Sequence, residues 1–269
     1  MHGLNLFDFH ARQQCPATGR FLSIDPLAEA RPWESPYAFT GNNPINRIDP
    51  TGLIHYSINS RGHIEPMRDT DGNILGKDDK FDMLFAGDKS LRVNDQSILS
   101  GLATKRDRAE YDGSYAETNR QADVFNVFAF VANNTEVEWS LSGFSTKGGT
   151  YVITTNHKEG SVRPAHSMKK YDVFDLIFDI HNHPGGAEQR QASAAPQHPS
   201  DIGSLTSMAW QYHNKFEGKH YRLPPHYIYH PQSSSVLQYT VHPEINRGIV
   251  RGTSVKTGVG IRRAMGLIK

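Results

Sequence analysis

The sequence predicts an α+β fold, and three observations predict it. A helical apolar stripe (Val124, Phe125, Val127, Phe128, Val131) precedes a run of strand-like segments, a second helical stripe (Ile202, Leu205, Ala209, Tyr212, Phe216) opens at Pro199-Ser200-Asp201, and closing strands follow at 227–229 and 236–241. The first 53 residues read differently, as short strands and turns broken by Pro16, Gly19, Pro26, Pro32, Pro36, Gly41, Pro44, Pro50 and Gly52.

Between the helical stripes lie the residues that carry chemistry. The apolar run Val173, Phe174, Leu176, Ile177, Phe178, Ile180 ends in His181-Asn182-His183-Pro184. In an extended chain the two imidazoles project to one side, because strand side chains repeat every second residue, and such a pair can grip a metal. Asp201, at the start of the second helix, is a candidate third ligand, and a catalytic zinc wants three such ligands with a fourth position left for water. Val137-Glu138-Trp139-Ser140-Leu141-Ser142-Gly143 offers Glu138 as a base. Glu136, with the same strand parity, is its rival. His198 is another conceivable ligand, although a loop histidine is the simpler reading. A strand is expected at 151–154, a loop at 158–170, and a small polar loop at 185–197 that can move over the site. The helix before the glutamate strand is expected over 115–133.

These residues, in this order, resemble the JAB/MPN domain in its metal-binding JAMM form, which runs Glu, His-x-His-Pro, Ser-x-x-Asp. The resemblance covers about 116–241. It implies a mixed sheet flanked by helices, Zn2+ held by His181, His183 and Asp201, and Glu138 as general base. Where the family places its serine, three residues before the aspartate, this chain has His198; Ser200 is the candidate for the oxyanion role, or that role is vacant. Relatives often act as isopeptidases on ubiquitin-like tails, so the implied substrate is a protein or such a conjugate.

In the first 53 residues, Phe9-His10-Ala11-Arg12, Thr18 to Leu27 and Asn43 to Leu53 resemble the end of an RHS/YD-repeat-associated core, including the closing Pro-x-x-x-x-Asp-Pro-x-Gly-Leu. That resemblance implies a shell enclosing a C-terminal toxin, self-cleavage after Leu53 by Asp25 and Asp49, and a cognate immunity protein. Two close carboxylates sharing a proton suit that cleavage, whereas turn capping before proline is the plainer use of both. The expected organisation is therefore an RHS-associated segment at 1–53, an accessory region at 54–115 with a hairpin signal at Asp71-Gly72 and a short helix at 97–102, a JAB/MPN-like domain at 116–245, and a basic tail at 246–269, solvated by default.

Composition narrows the function. With 29 basic and 28 acidic residues the net charge is +1, so no overall field favours nucleic acid or an acidic membrane. Cys15 is the sole cysteine, which excludes an internal disulfide framework and a cysteine-based zinc cluster. No run is long enough to span a membrane, and 1–6 is too short and uncharged for a secretory signal, so an effector carried by other machinery and acting in the target-cell cytoplasm is expected. Of the 14 histidines, His55, His63, His157, His166, His213, His220, His226, His230 and His242 show no spacing that reads as a site and are expected mostly at the surface. The leading function is a zinc-dependent peptidase payload. The rivals are a metal-dependent nuclease, which His181-Asn182-His183 superficially spells, and a metal-free JAB-like binding module.

Overall fold

The computed structural model describes residues 7–8, 13–24, 35, 37, 54–68, 72, 74–75, 81–104, 111–184, 201–217, 221–239, 251–254 and 258–268. In the N-terminal segment, β1 (Phe7–Asp8), β2 (Gln13–Cys15) and β3 (Arg20–Phe21) form a small antiparallel sheet. Asp25, Asp49 and Leu53, the residues of the expected self-cleavage, lie outside the described residues, as does the closing motif.

A four-stranded sheet follows, in the order β5-β4-β6-β7, from β4 (Ile54–Ile58), β5 (Ile64–Pro66), β6 (Asp82–Ala86) and β7 (Lys89–Val93). Arg68 forms an antiparallel bridge with Ile74, and its guanidinium donates to the Gly72 carbonyl at 2.6 Å. Helix α1 (Gln96–Ala103) is capped by Asp95, whose carboxylate accepts from the Ser97 N–H at 3.0 Å and from the Thr118 hydroxyl. That second bond ties the helix start to the larger sheet, since Thr118 ends its edge strand β8 (Ser114–Thr118).

The larger sheet has seven strands in the order β14-β13-β12-β11-β9-β10-β8. Its other members are β9 (Trp139–Phe144), β10 (Thr150–Thr155), β11 (Leu176–Asn182), β12 (His226–His230), β13 (Ser235–Tyr239) and β14 (Arg251–Ser254). Among the described strands of this sheet, only β11 and β12 pair in parallel; the other neighbours are antiparallel. A parallel pair requires a crossover, and α3 (Asp201–Lys215) lies within it. This is the mixed α+β architecture that the order of elements predicts.

Helix α2 (Gln121–Asn134) sits between layers, so Val124, Phe125, Val127, Phe128, Ala129, Val131 and Ala132 are all buried. A helix that faced a sheet on one side only would keep a polar stripe. One core joins α2 to Trp139, Leu141, Phe178 and Ile180 of the large sheet and to Tyr56, Ile58, Ile64, Leu84, Ile98, Leu99 and Leu102 of the small one. The described residues of 54–104 therefore pack on the same core as the metal-candidate domain. On the opposite face of the large sheet, Leu205, Met208, Ala209 and Tyr212 of α3 pack with Phe144, Val152, Leu176, Ile228 and Tyr239. Among these, each Leu, Ile, Val, Phe or Met side chain, fully buried, contributes about 1.5–3 kcal/mol. With both faces covered, every residue of β9 is buried.

Three local expectations are corrected. The helix expected over 115–133 starts only at Gln121, because Tyr115 to Thr118 pair with β10 (Tyr115 opposite Thr154, Thr118 opposite Tyr151). Val173–Asp175 forms a 3-10 turn instead of extending the strand, with the Asp172 side chain accepting from the Phe174 N–H at 3.0 Å. The basic C-terminal stretch is not a plain solvated tail: β14 joins the sheet edge, and helix α4 (Gly258–Ala264) buries Ile261 in the core beside α2. The approach is close enough that a Cβ on Gly258 would stand 2.5 Å from the Phe125 carbonyl oxygen.

The small sheet also holds a titratable group at its core. Asp82, 1% exposed, accepts one hydrogen bond, from Gln96 Nε2 at 3.3 Å. Burial pushes its carboxyl up to about 6, with the Gln96 bond pulling it down and the charge of Asp95 pushing it further up. Between the ordinary value of 3.8 and about 6 the folded chain holds a proton that the unfolded chain has lost, so stability falls as pH rises through that window. Asp82→Asn is expected to flatten this slope and to raise the melting temperature more at pH 8 than at pH 4.5. Thermal melts of both proteins across that range check it.

Candidate metal centre

Register across the central strands sets the face on which the candidate residues stand. On β11, Phe178, Ile180 and Asn182 alternate with Asp179 and His181, and His183 continues the second set. Phe178 and Ile180 enter the core on the α2 side, which puts Asp179, His181 and His183 on the other face. His181 is opposite Ser140 of β9 and Ile228 of β12, and Asp179 is opposite Ser142 and His226. Alternation on β9 carries the same face back from Ser142 and Ser140 to Glu138.

The two histidines of the motif converge. His181 Nε2 and His183 Nε2 are 3.1 Å apart, with the side chains buried at 5% and 7% exposure. Two imidazole nitrogens bound ~2.0–2.1 Å from one tetrahedral zinc would stand ~3.3 Å apart, so this pair fits a shared ion. Asp201 is the first residue of α3, as the sequence predicts; its side chain, and all of Ser200 and His198, lie outside the described residues.

Glu138 is buried at 8% exposure, whereas Glu136 is exposed. The Glu138 N–H donates to the Lys158 carbonyl at 2.8 Å, and its own carbonyl accepts from the Thr155 hydroxyl at 2.8 Å. Asn182, the residue between the two histidines, points to the opposite face. Its Oδ1 accepts from the Trp139 N–H at 2.6 Å and its Nδ2 donates to the Val137 carbonyl at 3.3 Å. One side chain thus brackets the glutamate by the peptide groups before and after it. An open cleft of about 450 Å³ borders this end of the sheet, with Pro184, Pro231, Gln232, Glu136 and Glu159 among its walls.

Next to the motif the same face carries polar residues that the sequence reading passed over. The Asp179 carboxylate, 2% exposed, accepts from the Ser140 hydroxyl at 3.0 Å and the Ser142 hydroxyl at 2.6 Å, and His166 Nδ1 lies 3.7 Å from it. Burial alone would raise this carboxyl, but His166, with His226 and His181 beyond it, outweighs burial and holds it down to about 2. His226 is 3% exposed, and its burial lowers the imidazole to about 4, against the upward pull of Asp179. The ligand atoms of His166, Asp179 and His226 all lie within 4.8 Å of one another, so a second His/Asp group that could hold a metal exists here.

The expectation of a mostly surface distribution for the remaining histidines is therefore corrected. His55, His226 and His230 are buried at 1%, 3% and 3% exposure, and the His166 side chain is 10% exposed. The signal was present as polar residues at period two inside apolar strands: Asp179-x-His181-x-His183, Ser140-x-Ser142 and His226-x-x-x-His230. Among the described residues, no helix is long and apolar enough to cross a membrane.

No solved structure matches this chain. A salivary gland surface protein 1 from Aedes aegypti is similar over 53 residues at 43% identity, which is 20% of this chain and 2% of that protein's length. Residues 116–206, from the edge strand β8 through the His-x-His-Pro motif into α3, match the family model of JAB-like toxin 1.

Proposed function

We propose that this domain is a zinc-dependent peptidase or isopeptidase and the toxic payload of an RHS polymorphic toxin. The observation that carries the reading is the 3.1 Å approach of His181 and His183 beside a buried Glu138, within the stretch that matches a JAB-like toxin family. His181, His183 and Asp201 would hold the ion. When bound, zinc lowers the pKa of a coordinated water and polarises the scissile carbonyl. Glu138 would serve as the base that accepts a proton from the attacking water and as the acid that returns it to the leaving amine. Ser200, or a backbone donor in its place, stabilises the tetrahedral oxyanion. Asn182 fixes the peptide groups on either side of Glu138, and the cleft beside Pro184 and Pro231 receives the substrate chain.

The RHS part of the reading rests on the closing motif at 44–53, and with it come a shell, cleavage after Leu53 by Asp25 and Asp49, delivery by other machinery into a target-cell cytoplasm, and an immunity protein that blocks the site. The enzymatic part has a direct test. The purified chain loaded with zinc is incubated with an unfolded protein, with an isopeptide-linked ubiquitin-like conjugate and with plasmid DNA, each with and without chelator. Chelator-sensitive cleavage of a protein bond with intact plasmid is expected. Plasmid nicking without proteolysis would replace the peptidase by a nuclease, and no stoichiometric zinc would leave a binding module.

A further inference from the structure

The group formed by His166, Asp179 and His226 is not part of the catalytic proposal, and its geometry has the marks of a built site. His226 Nδ1 lies 2.8 Å from the Pro224 carbonyl. A carbonyl can only accept, so Nδ1 carries the hydrogen and the lone pair stands on Nε2, the tautomer that metal-ligating histidines adopt when their other nitrogen is fixed by a carbonyl. His166 Nδ1 is buried and has no hydrogen-bond partner, on a side chain that is nine-tenths buried. Buried ring nitrogens are rarely left so. Its 3.7 Å distance to Asp179 Oδ1 is too long for a hydrogen bond. It stands within about 0.1 Å of the ~3.3–3.6 Å that separates two ligands of one tetrahedral ion at bond lengths of ~2.0–2.2 Å. The carboxylate itself is oriented by the Ser140 and Ser142 hydroxyls.

We propose that His166, Asp179 and His226 bind a second divalent ion of the zinc class, separate from the one at His181 and His183. Two imidazoles and one carboxylate favour such an ion over calcium or magnesium, which prefer oxygen throughout. The role is structural. Asp179 and His181 are two residues apart on one strand, a step of ~6.6 Å, whereas metals that share a reacting water stand ~3.5–4 Å apart. Ligands at 2%, 3% and 10% exposure also leave little access for substrate. The ion would pin the 3-10 turn Ala165–Ser167 to the sheet beneath the catalytic row.

Metal content of the full chain, after saturation with zinc and removal of excess, tests this by elemental analysis, with melting temperature as a second readout. Relative to the parent, His166→Gln and His226→Gln are each expected to bind one zinc ion fewer while retaining the ion that His181→Gln/His183→Gln removes. Zinc is also expected to lose part of its effect on the melting temperature in the first two variants. His166 stands on a turn outside the sheet, so His166→Gln, with circular dichroism as the folding control, carries the test should His226→Gln not fold. Unchanged zinc content in His166→Gln would overturn the second ion and leave a metal-free His–Asp–His charge network. A parent with one zinc, lost in His166→Gln and kept in His181→Gln/His183→Gln, would uphold this site and instead remove the proposed catalytic one.

Discussion

Glu138→Gln is expected to keep zinc at the parental level and to lose cleavage by about 100-fold or more, the lower bound for a positioned general base. The substitution is nearly isosteric, and the hydrogen bonds to Lys158 and from Thr155 use the main chain of residue 138, so both survive it. What disappears is the ability to take a proton. Parallel measurement of zinc content and hydrolysis separates this from simple metal loss. Glu136→Gln is the comparison: that residue is exposed on the wall of the cleft proposed to receive substrate, so any change should fall on KM and leave the turnover number near the parental value. A Glu138→Gln enzyme as active as its parent would remove this residue from the mechanism, and loss of activity only in Glu136→Gln would transfer the role to the rival.

Asn182→Ala is expected to cost about 2–5 kcal/mol of stability. Asn182 is fully buried, and its removal strands the Trp139 N–H and the Val137 carbonyl, each worth about 1–3 kcal/mol when left unpaired away from water. Both groups flank Glu138, so the variant should also lose turnover number out of proportion to any change in substrate affinity, with zinc retained through His181 and His183. Denaturant unfolding read at constant slope, together with separate kcat and KM values, checks both parts. A variant that unfolds at the parental midpoint would show that the bracket carries no load.

The legible part of the site was the part that is local in sequence. His181 and His183 share a face because strand side chains alternate, a rule that needs no partner strand, and the register places both there. The start of α3 at Asp201 was legible for a similar reason, since an apolar stripe at helical spacing begins at once after Pro199-Ser200. The edge strand at 114–118 was not. Tyr115 and Ala116 fit the spacing of the helix that follows, and their pairing with Ile153 and Thr154, some forty residues on, decided otherwise. The C-terminal stretch misled through its charge: Ile261 and Met265 are its buried anchors, too few to make a visible stripe, yet enough once α2 presents a surface to receive them.

By itself the sequence determined the α+β class, the order of the elements around the motif, and a pair of imidazoles able to meet one ion, because each follows from side-chain periodicity along a continuous segment. Only the tertiary structure decided that His166, Asp179 and His226 form a group, that Asn182 holds the peptides around Glu138, and that the small sheet and α1 share a core with the domain they precede. Those facts depend on which strands pair and in what register. Register is fixed by the burial of whole faces against α2 and α3, a property of the assembled sheet that no single stretch of chain contains.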